Sequence, residues 1–473
     1  MGQSLAPGFG RLSHASSFYA VSGDSIFTGG GYRQTMAADG SFFDEALRED
    51  VSTVRSGLCV VCKGAHLLCG KARCPLMIKF YAKQRTRPVL DLRDLAGSSP
   101  PAVFVGRYGY PKVDVGPLVP GEFGDTSVMD QPERWMGKSI DDIVDMRFRL
   151  VRGKDRIDAV DFRKTGRMAS DLQELALTER PVAVEASFRE KPRGRLVLDD
   201  EVEPFGPSAR LETMVKGNGR WEKNLEKNYY DTDLRAADAV VSAYRNGTLI
   251  SEIQKAFSVG TMGVDRRRRF VPTRWSITAV DDIIGKDYLT RTKFYPTIDE
   301  FRVYHWEQLD NRWCVLMLPT TWRYELIEAW YPETTWNPVG QNIEIMNDFE
   351  LFGGRTDYAQ IGGCYYAARM AVNELLEREH RTAGAVICRE AHPGYVMPVG
   401  VWNVRENVRM ALTQQPYRFD TIGGALGYID SVMDIKQRTW IAHSGVLTDY
   451  FTQRRIEDYY GRQAALGPDD EGV

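Results

Sequence analysis

The chain has 473 residues, 43% of them hydrophobic, and carries 61 Lys and Arg against 64 Asp and Glu for a net charge of −3. Such a composition supports a large core spread over two or three domains and excludes an intrinsically disordered chain, while the near-neutral balance leaves any nucleic-acid contact to local basic patches. No apolar run is long enough to span a bilayer and the N-terminus lacks a basic start followed by an apolar block, so a cytoplasmic protein with no membrane partner is expected.

Residues 1–50 are rich in Gly and Ser, with isolated aromatics such as Phe18, Phe42 and Phe43, and predict a flexible extension. Next comes Cys59-x2-Cys62-x6-Cys69-x4-Cys74, four of the seven cysteines. In a reducing compartment this crowding argues for a closed tetrahedral Zn2+ site made of two thiolate pairs, against the rival of buried thiols clustered by chance. His66 is a poorer ligand, because four thiolates already fill a structural site. A site with no open position is scaffold and not a Lewis acid. Gly64 to Ala72 has the outline of a phosphate loop, but its spacing is one residue too long and Ala72 stands where Ser or Thr is needed. Dinucleotide, nucleophile-elbow and zinc-protease fingerprints are also missing, which disfavours the common enzyme classes.

From Pro100 the text alternates: Ala102 to Arg107, a turn at Gly109-Tyr110-Pro111, then Val113 to Pro117, which predicts a hairpin opening a sheet. Ser139 to Asp142 has the shape of a capping box and starts a helix through Ile140, Val144 and Phe148. Its last turns are expected to gather Arg147, Arg149, Arg152 and Lys154, favourable beside the helix's own dipole. Val182 to Phe188, including Glu185, predicts a strand that runs out into Arg189, Lys191, Arg193 and Arg195. Asp199-Asp200-Glu201 and Glu203 follow. Carboxylates this dense either hold Mg2+ or Mn2+ for phosphodiester cleavage or form a solvated loop.

A helix is predicted over Thr232 to Tyr244, stopped by Asn246-Gly247. Arg266-Arg267-Arg268-Arg269, with Arg274 and Trp275, combines guanidinium forks and an aromatic plane, a mixture suited to a DNA strand or, equally, to a solvated basic loop beside a structural Trp. Asp281-Asp282 is a second carboxylate pair for a metal-dependent nuclease, or else a cap or solvent-facing pair. Phe301 to Tyr304 and Trp313 to Leu318, joined around Asp310-Asn311, predict another hairpin, and a domain boundary is placed near Pro338. Gln360 to His380 predicts a helix. In the run Arg389 to Arg409, Arg405, Glu406 and Arg409 fall on a predicted helix. They grip a phosphate, or Glu406 and His392 do proton chemistry, or the set is a buried ion-pair network.

Near the end, Gln453, Ile456, Tyr459 and Tyr460 place an amide before an aliphatic and two aromatics at i+3, i+6 and i+7. One helical turn puts the three apolar side chains together, to fill a partner's groove or to close the chain's own core. The spacing resembles the motif by which repair and replication proteins hold the PCNA sliding clamp. Two tyrosines stand where phenylalanine is common, which keeps the apolar contact and adds hydroxyls at its mouth.

Taken together, the four-cysteine site, Val271 to Asp282, Arg389 to Arg409 and Gln453 to Tyr460 make the chain resemble the archaeal Nre family of DNA-repair proteins from about Cys59 to the tail. The resemblance implies an α+β protein. A zinc-stapled N-terminal part (module 51–85, body 86–338) would precede a smaller α+β C-terminal domain (339–447) and a flexible clamp-binding tail (448–473). It also implies a role in repair beside the clamp, with DNA and other repair proteins as partners. Family members usually place their cysteines nearer the start, so nothing is carried onto residues 1–50. The leading expectation is a clamp-recruited factor that binds DNA through Arg266 to Trp275. Its rival is a metal-dependent nuclease built on Glu185, Asp199, Asp200, Asp281 and Asp282.

Overall fold

Alternation of apolar and polar side chains builds the first sheet. The structure is a computed structural model that describes residues 92–193, 202–334, 336–337 and 341–453. Cys59, Cys62, Cys69, Cys74, Asp199, Asp200, Ile456, Tyr459 and Tyr460 lie outside the described residues, as do the whole of the expected N-terminal extension and cysteine module and most of the tail. The strands are β1 (Asp94–Ser99), β2 (Val103–Val105), β3 (Lys112–Pro120), β4 (Leu150–Asp158), β5 (Val182–Phe188) and β6 (Ser208–Lys216), in the order β1-β5-β6-β4-β3-β2. Every pairing is antiparallel except β4 with β6. The predicted hairpin is the β2–β3 pair. Every second residue of these strands (Val113, Val115, Val151, Ile157, Val184, Ala186) faces a core closed by Ala169, Leu172, Leu175 and Ala176 of a covering helix, α2 (Arg167–Leu177).

Helix α1 (Ile140–Phe148) precedes β4 and has the predicted capping box, with Ser139 and Asp142 satisfying each other's backbone N–H. It ends at Phe148, so Arg152 and Lys154 are not on a helix end as expected but on β4. Leu150 and Val151 are the reason: two fully buried residues carry the chain straight into the sheet.

Helices α3 (Lys223–Tyr230), α4 (Ala236–Arg245), α5 (Ile250–Ser258) and α6 (Thr273–Thr292) follow β6. The 20-residue α6 gives Ile277 and Leu289 to one core, and Val280 and Ile284 to another. A helix apolar on two sides has lost its single stripe, and so sits between layers.

The second sheet comprises β7 (Phe301–Gln308), β8 (Asn311–Leu318), β9 (Arg323–Trp330), β10 (Glu344–Glu350), β11 (Gly384–Ala391) and β12 (Tyr417–Phe419), in the order β10-β9-β11-β8-β7-β12. It draws strands from both sides of residue 338. One face packs on α6, α7 (Gly363–Glu379) and α8 (Trp402–Thr413), the other on α9 (Ile422–Val432), α10 (Gln437–His443) and α11 (Gly445–Thr452). Covered on both faces, β9 and β11 are buried at every residue, and they read as continuous runs without alternation. The described chain is thus a mixed α and β protein with two sheets. No helix among the described residues is long and apolar enough to cross a membrane.

Candidate nucleic-acid interface and the buried ion network

The four consecutive arginines begin on a single 3-10 turn, Asp265–Arg267, which splits their roles by direction. Arg268 turns inward, where its guanidinium donates to the carbonyls of Gly263 (2.8 Å), Tyr229 (2.8 Å), Asp231 (3.0 Å) and Asn228 (3.3 Å). The last three are at or beside the C-terminus of α3, where exposed carbonyls favour a cation. Arg266, Arg267 and Arg269 are exposed. Beside them opens a cavity of about 270 Å3 lined by Phe162, Arg163, Gln173, Tyr229, Asp265 and Arg268. Arg163 spans its mouth, donating to the Asp265 carboxylate and backbone oxygen at 2.7 Å. Exposed Lys164 and Arg167 adjoin the rim residues Arg163 and Gly166 in the chain and are paired with Asp161 at 3.2 Å and Asp171 at 3.4 Å. Arg274 and Trp275, on the first turn of α6, are half-buried, and the indole packs on Tyr110 at 5.2 Å between ring centroids.

Arg405 and Arg409 are not part of that rim. Arg405 is 1% exposed, and its Nη1 donates to both Asp281 oxygens at 2.9 Å while Nε reaches Glu406 at 3.1 Å. Arg409 bonds Glu406 and, through Nε at 2.8 Å, Glu374, which also accepts from the Tyr244 hydroxyl. The two ends of the main pair respond oppositely to their setting. Burial pushes the Asp281 carboxyl up to about 6 against the pull of Arg405, whereas Arg405, although burial opposes its charge, is held charged by Asp281 and Glu406. The guanidinium stays ionised, and because it is shared between two acids it cannot fully offset the desolvation of Asp281. Of the three readings open for Arg405, Glu406 and Arg409, this is the buried ion-pair network.

The acids named for a nuclease do not gather among the described residues. Asp282 pairs with Arg369 and with Lys286 at 2.7 Å, Asp281 is enclosed with Arg405, and Glu185 is exposed on β5. His392 does not meet Glu406. Its Nε2 lies 3.1 Å from Glu390, its ring stacks on Tyr331 at 4.3 Å, and Asp434 stands 4.0 Å from Nδ1. Glu390, His392 and Asp434 are close enough to share a cation. Protein donors already occupy the set, however: the N–H groups of Ile435 at 2.7 Å and Asp434 at 3.2 Å on Glu390, and Arg312 on Asp434. The sequence has no local signal for this trio, since Asp434 lies far along the chain from the other two.

At the start of the tail, Gln453 closes α11 and its Oε1 accepts from Arg323, which also binds Asp449 at 2.6 Å.

The family model for the archaeal Nre N-terminal region matches residues 68–337, and that for the C-terminal region matches 350–459. The DNA repair protein NreB of Archaeoglobus fulgidus is 42% identical over 82% of this chain and 96% of its own length. The DNA repair proteins NreA of Archaeoglobus fulgidus and Haloferax volcanii are 35% and 34% identical, over 83% and 76% of this chain and 98% and 88% of their own lengths. No solved structure is significantly similar. Matches that cover both halves of the chain and nearly all of these relatives leave one assignment: the chain belongs to the archaeal Nre family.

Proposed function

We propose that the chain is a DNA-repair factor that binds DNA through its exposed arginines and is recruited to the PCNA sliding clamp by Gln453, Ile456, Tyr459 and Tyr460. The observation that carries the repair role is the 42% identity to a DNA repair protein over 96% of that protein's length. The DNA contact is supported by the exposure of Arg266, Arg267 and Arg269 beside a cavity with an aromatic wall, the pairing of charge and ring surface that nucleic-acid strands use. Cys59, Cys62, Cys69 and Cys74 would hold a structural Zn2+, since four thiolates suit a closed tetrahedral site. Because the Arg405 network is sealed, Asp281 and Asp282 are tied to arginines and Glu185 stands apart on β5, the described body reads as a binding module.

Recruitment is tested by titrating a peptide of residues 447–463 into the clamp. Saturable binding, lost when Ile456→Ala and Tyr459→Ala are combined, is expected; no binding, or binding indifferent to both changes, removes the clamp from the reading. DNA binding is tested separately, on the full chain, by the arginine variants described below.

A further inference from the structure

The face of the first sheet that points away from α2 changes character along β4. Opposed residues on paired strands share a face, so Leu150, Arg152, Lys154 and Arg156 of β4 lie with Asp114 and Leu118 of β3, Phe104 of β2, and Ser208 and Arg210 of β6. The apolar end, at Leu118 and Leu150, packs against Met129 and Met146. Beyond it come three cations: Arg152 and Lys154 two residues apart on one strand, and Arg210 directly across from Lys154.

These cations are poorly compensated. The Arg152 guanidinium lies over Phe104 at 4.3 Å and over Phe205 at 4.8 Å, with its Nε buried and without a hydrogen-bond partner. Among the described residues no carboxylate forms an ion pair with Arg152, Lys154 or Arg210; Asp114, on the same face, is taken by Arg156 at 3.3 Å, and Asp114 and Glu190 act on Lys154 only from a distance. Burial lowers Arg152 to about 10, and burial together with the neighbouring Arg152 and Arg210 lowers Lys154. Arg152 and Lys154 are half-buried and Arg210 is exposed at the open end of the strip. A cation partly withdrawn from water without a paired counter-charge is costly, and proteins keep such groups where a ligand supplies the missing anion.

We propose that Arg152, Lys154 and Arg210 form a phosphate-binding strip on the outer face of the first sheet, fitted to the backbone of a nucleic-acid strand. A guanidinium fork, here held against two adjoining phenyl rings, is the side chain best matched to two phosphate oxygens. The strip faces away from α2, whereas Arg163, Gly166 and Gln173, which line the cavity beside Arg266, lie on or next to that helix. The strip is therefore a second surface and does not depend on the reading of the first.

The test uses the full chain, a labelled single-stranded oligonucleotide followed by anisotropy over a range of salt, and inorganic phosphate followed by thermal shift. Lys154→Gln with Arg210→Gln should weaken oligonucleotide binding by about tenfold or more and reduce the salt slope by about two. Arg152→Met should also weaken binding and yet melt at or above the wild-type temperature, because it removes a partly desolvated charge and keeps the packing on the rings. If phosphate raises the melting temperature of the wild type and of neither variant while the oligonucleotide affinity is unchanged, the strip stands with a small phosphate as its source. Unchanged response to both probes in folded variants overturns it. Equal destabilisation by Arg152→Met and by neutralising Asp199 and Asp200 also overturns it, since the chain's own acids would then be the counter-charge. Loss of binding in Arg266→Glu and Arg267→Glu alone speaks to the other surface only.

Discussion

The Arg405 guanidinium grips both oxygens of Asp281 across 124 positions of sequence, tying α8 to the middle of α6 inside the protein. Removing one partner leaves the other charge stranded. Arg405→Ala should therefore cost about 3–5 kcal/mol, measured by chemical denaturation, while Arg405→Met combined with Asp281→Leu should recover most of that loss. Additive damage in the double variant would show that the two residues are not coupled.

Asp281 also sets a pH dependence. Its carboxyl, ordinarily at 3.8, is pushed up to about 6 by burial, so between these values the folded state holds a proton that the unfolded chain has released. The contribution of this group to stability is thus full below the lower value and is lost as the pH rises toward 6. The stability of the wild type relative to Asp281→Asn should fall from pH 4 to pH 6 by at most about 3 kcal/mol and level off above. A difference that is flat across the window would mean that Arg405 keeps the acid ionised throughout.

The arginine run should separate into two phenotypes. Arg266→Glu with Arg267→Glu should leave the melting temperature near that of the wild type, weaken DNA binding and reduce the salt slope by about two. Arg268→Ala should instead destabilise the fold by roughly 2–3 kcal/mol, because three carbonyls around the end of α3 and that of Gly263 lose their donor together. Anisotropy and calorimetry on the same preparations read both effects. A normal melting curve for Arg268→Ala would contradict the inward assignment.

The cysteine site predicts one zinc per chain by elemental analysis. Cys59→Ser with Cys62→Ser should abolish it and lower the melting temperature, and chelation of the wild type should have the same effect. Zinc-free protein with an unaltered melting curve would remove the structural role.

Local rules were readable wherever one element answers to one environment. Ser139 and Asp142 announce the start of α1 because the capping box is contained within four residues. The β7–β8 hairpin follows from alternation around Asp310-Asn311, with both Leu309 and Asp310 at positive φ. The long α6 was not legible: Trp275, Arg274 and Asp281-Asp282 look like surface chemistry in a string, yet the helix lies between two cores and Asp281 is enclosed with Arg405. Arg152 and Lys154 read as a helix end because Ile140, Val144 and Phe148 carry a helical period up to them and no breaker stands before Leu150. Only pairing with β3 and β6 reveals that they share a face. The site residues divide in the same way. The exposure of Arg266 and Arg267 follows from a short polar turn, whereas the direction of Arg268 depends on α3, almost forty residues earlier.

The strand β11 lies between β8 and β9, although those two precede it by more than fifty residues and flank it on opposite sides. The sheet is therefore incomplete at its centre until late in synthesis, and a chain cut near residue 340 would leave each piece holding strands whose neighbours are on the other. Neither piece should be stable by itself, but the two, expressed together, have the complementary edges needed to find one another and restore the whole.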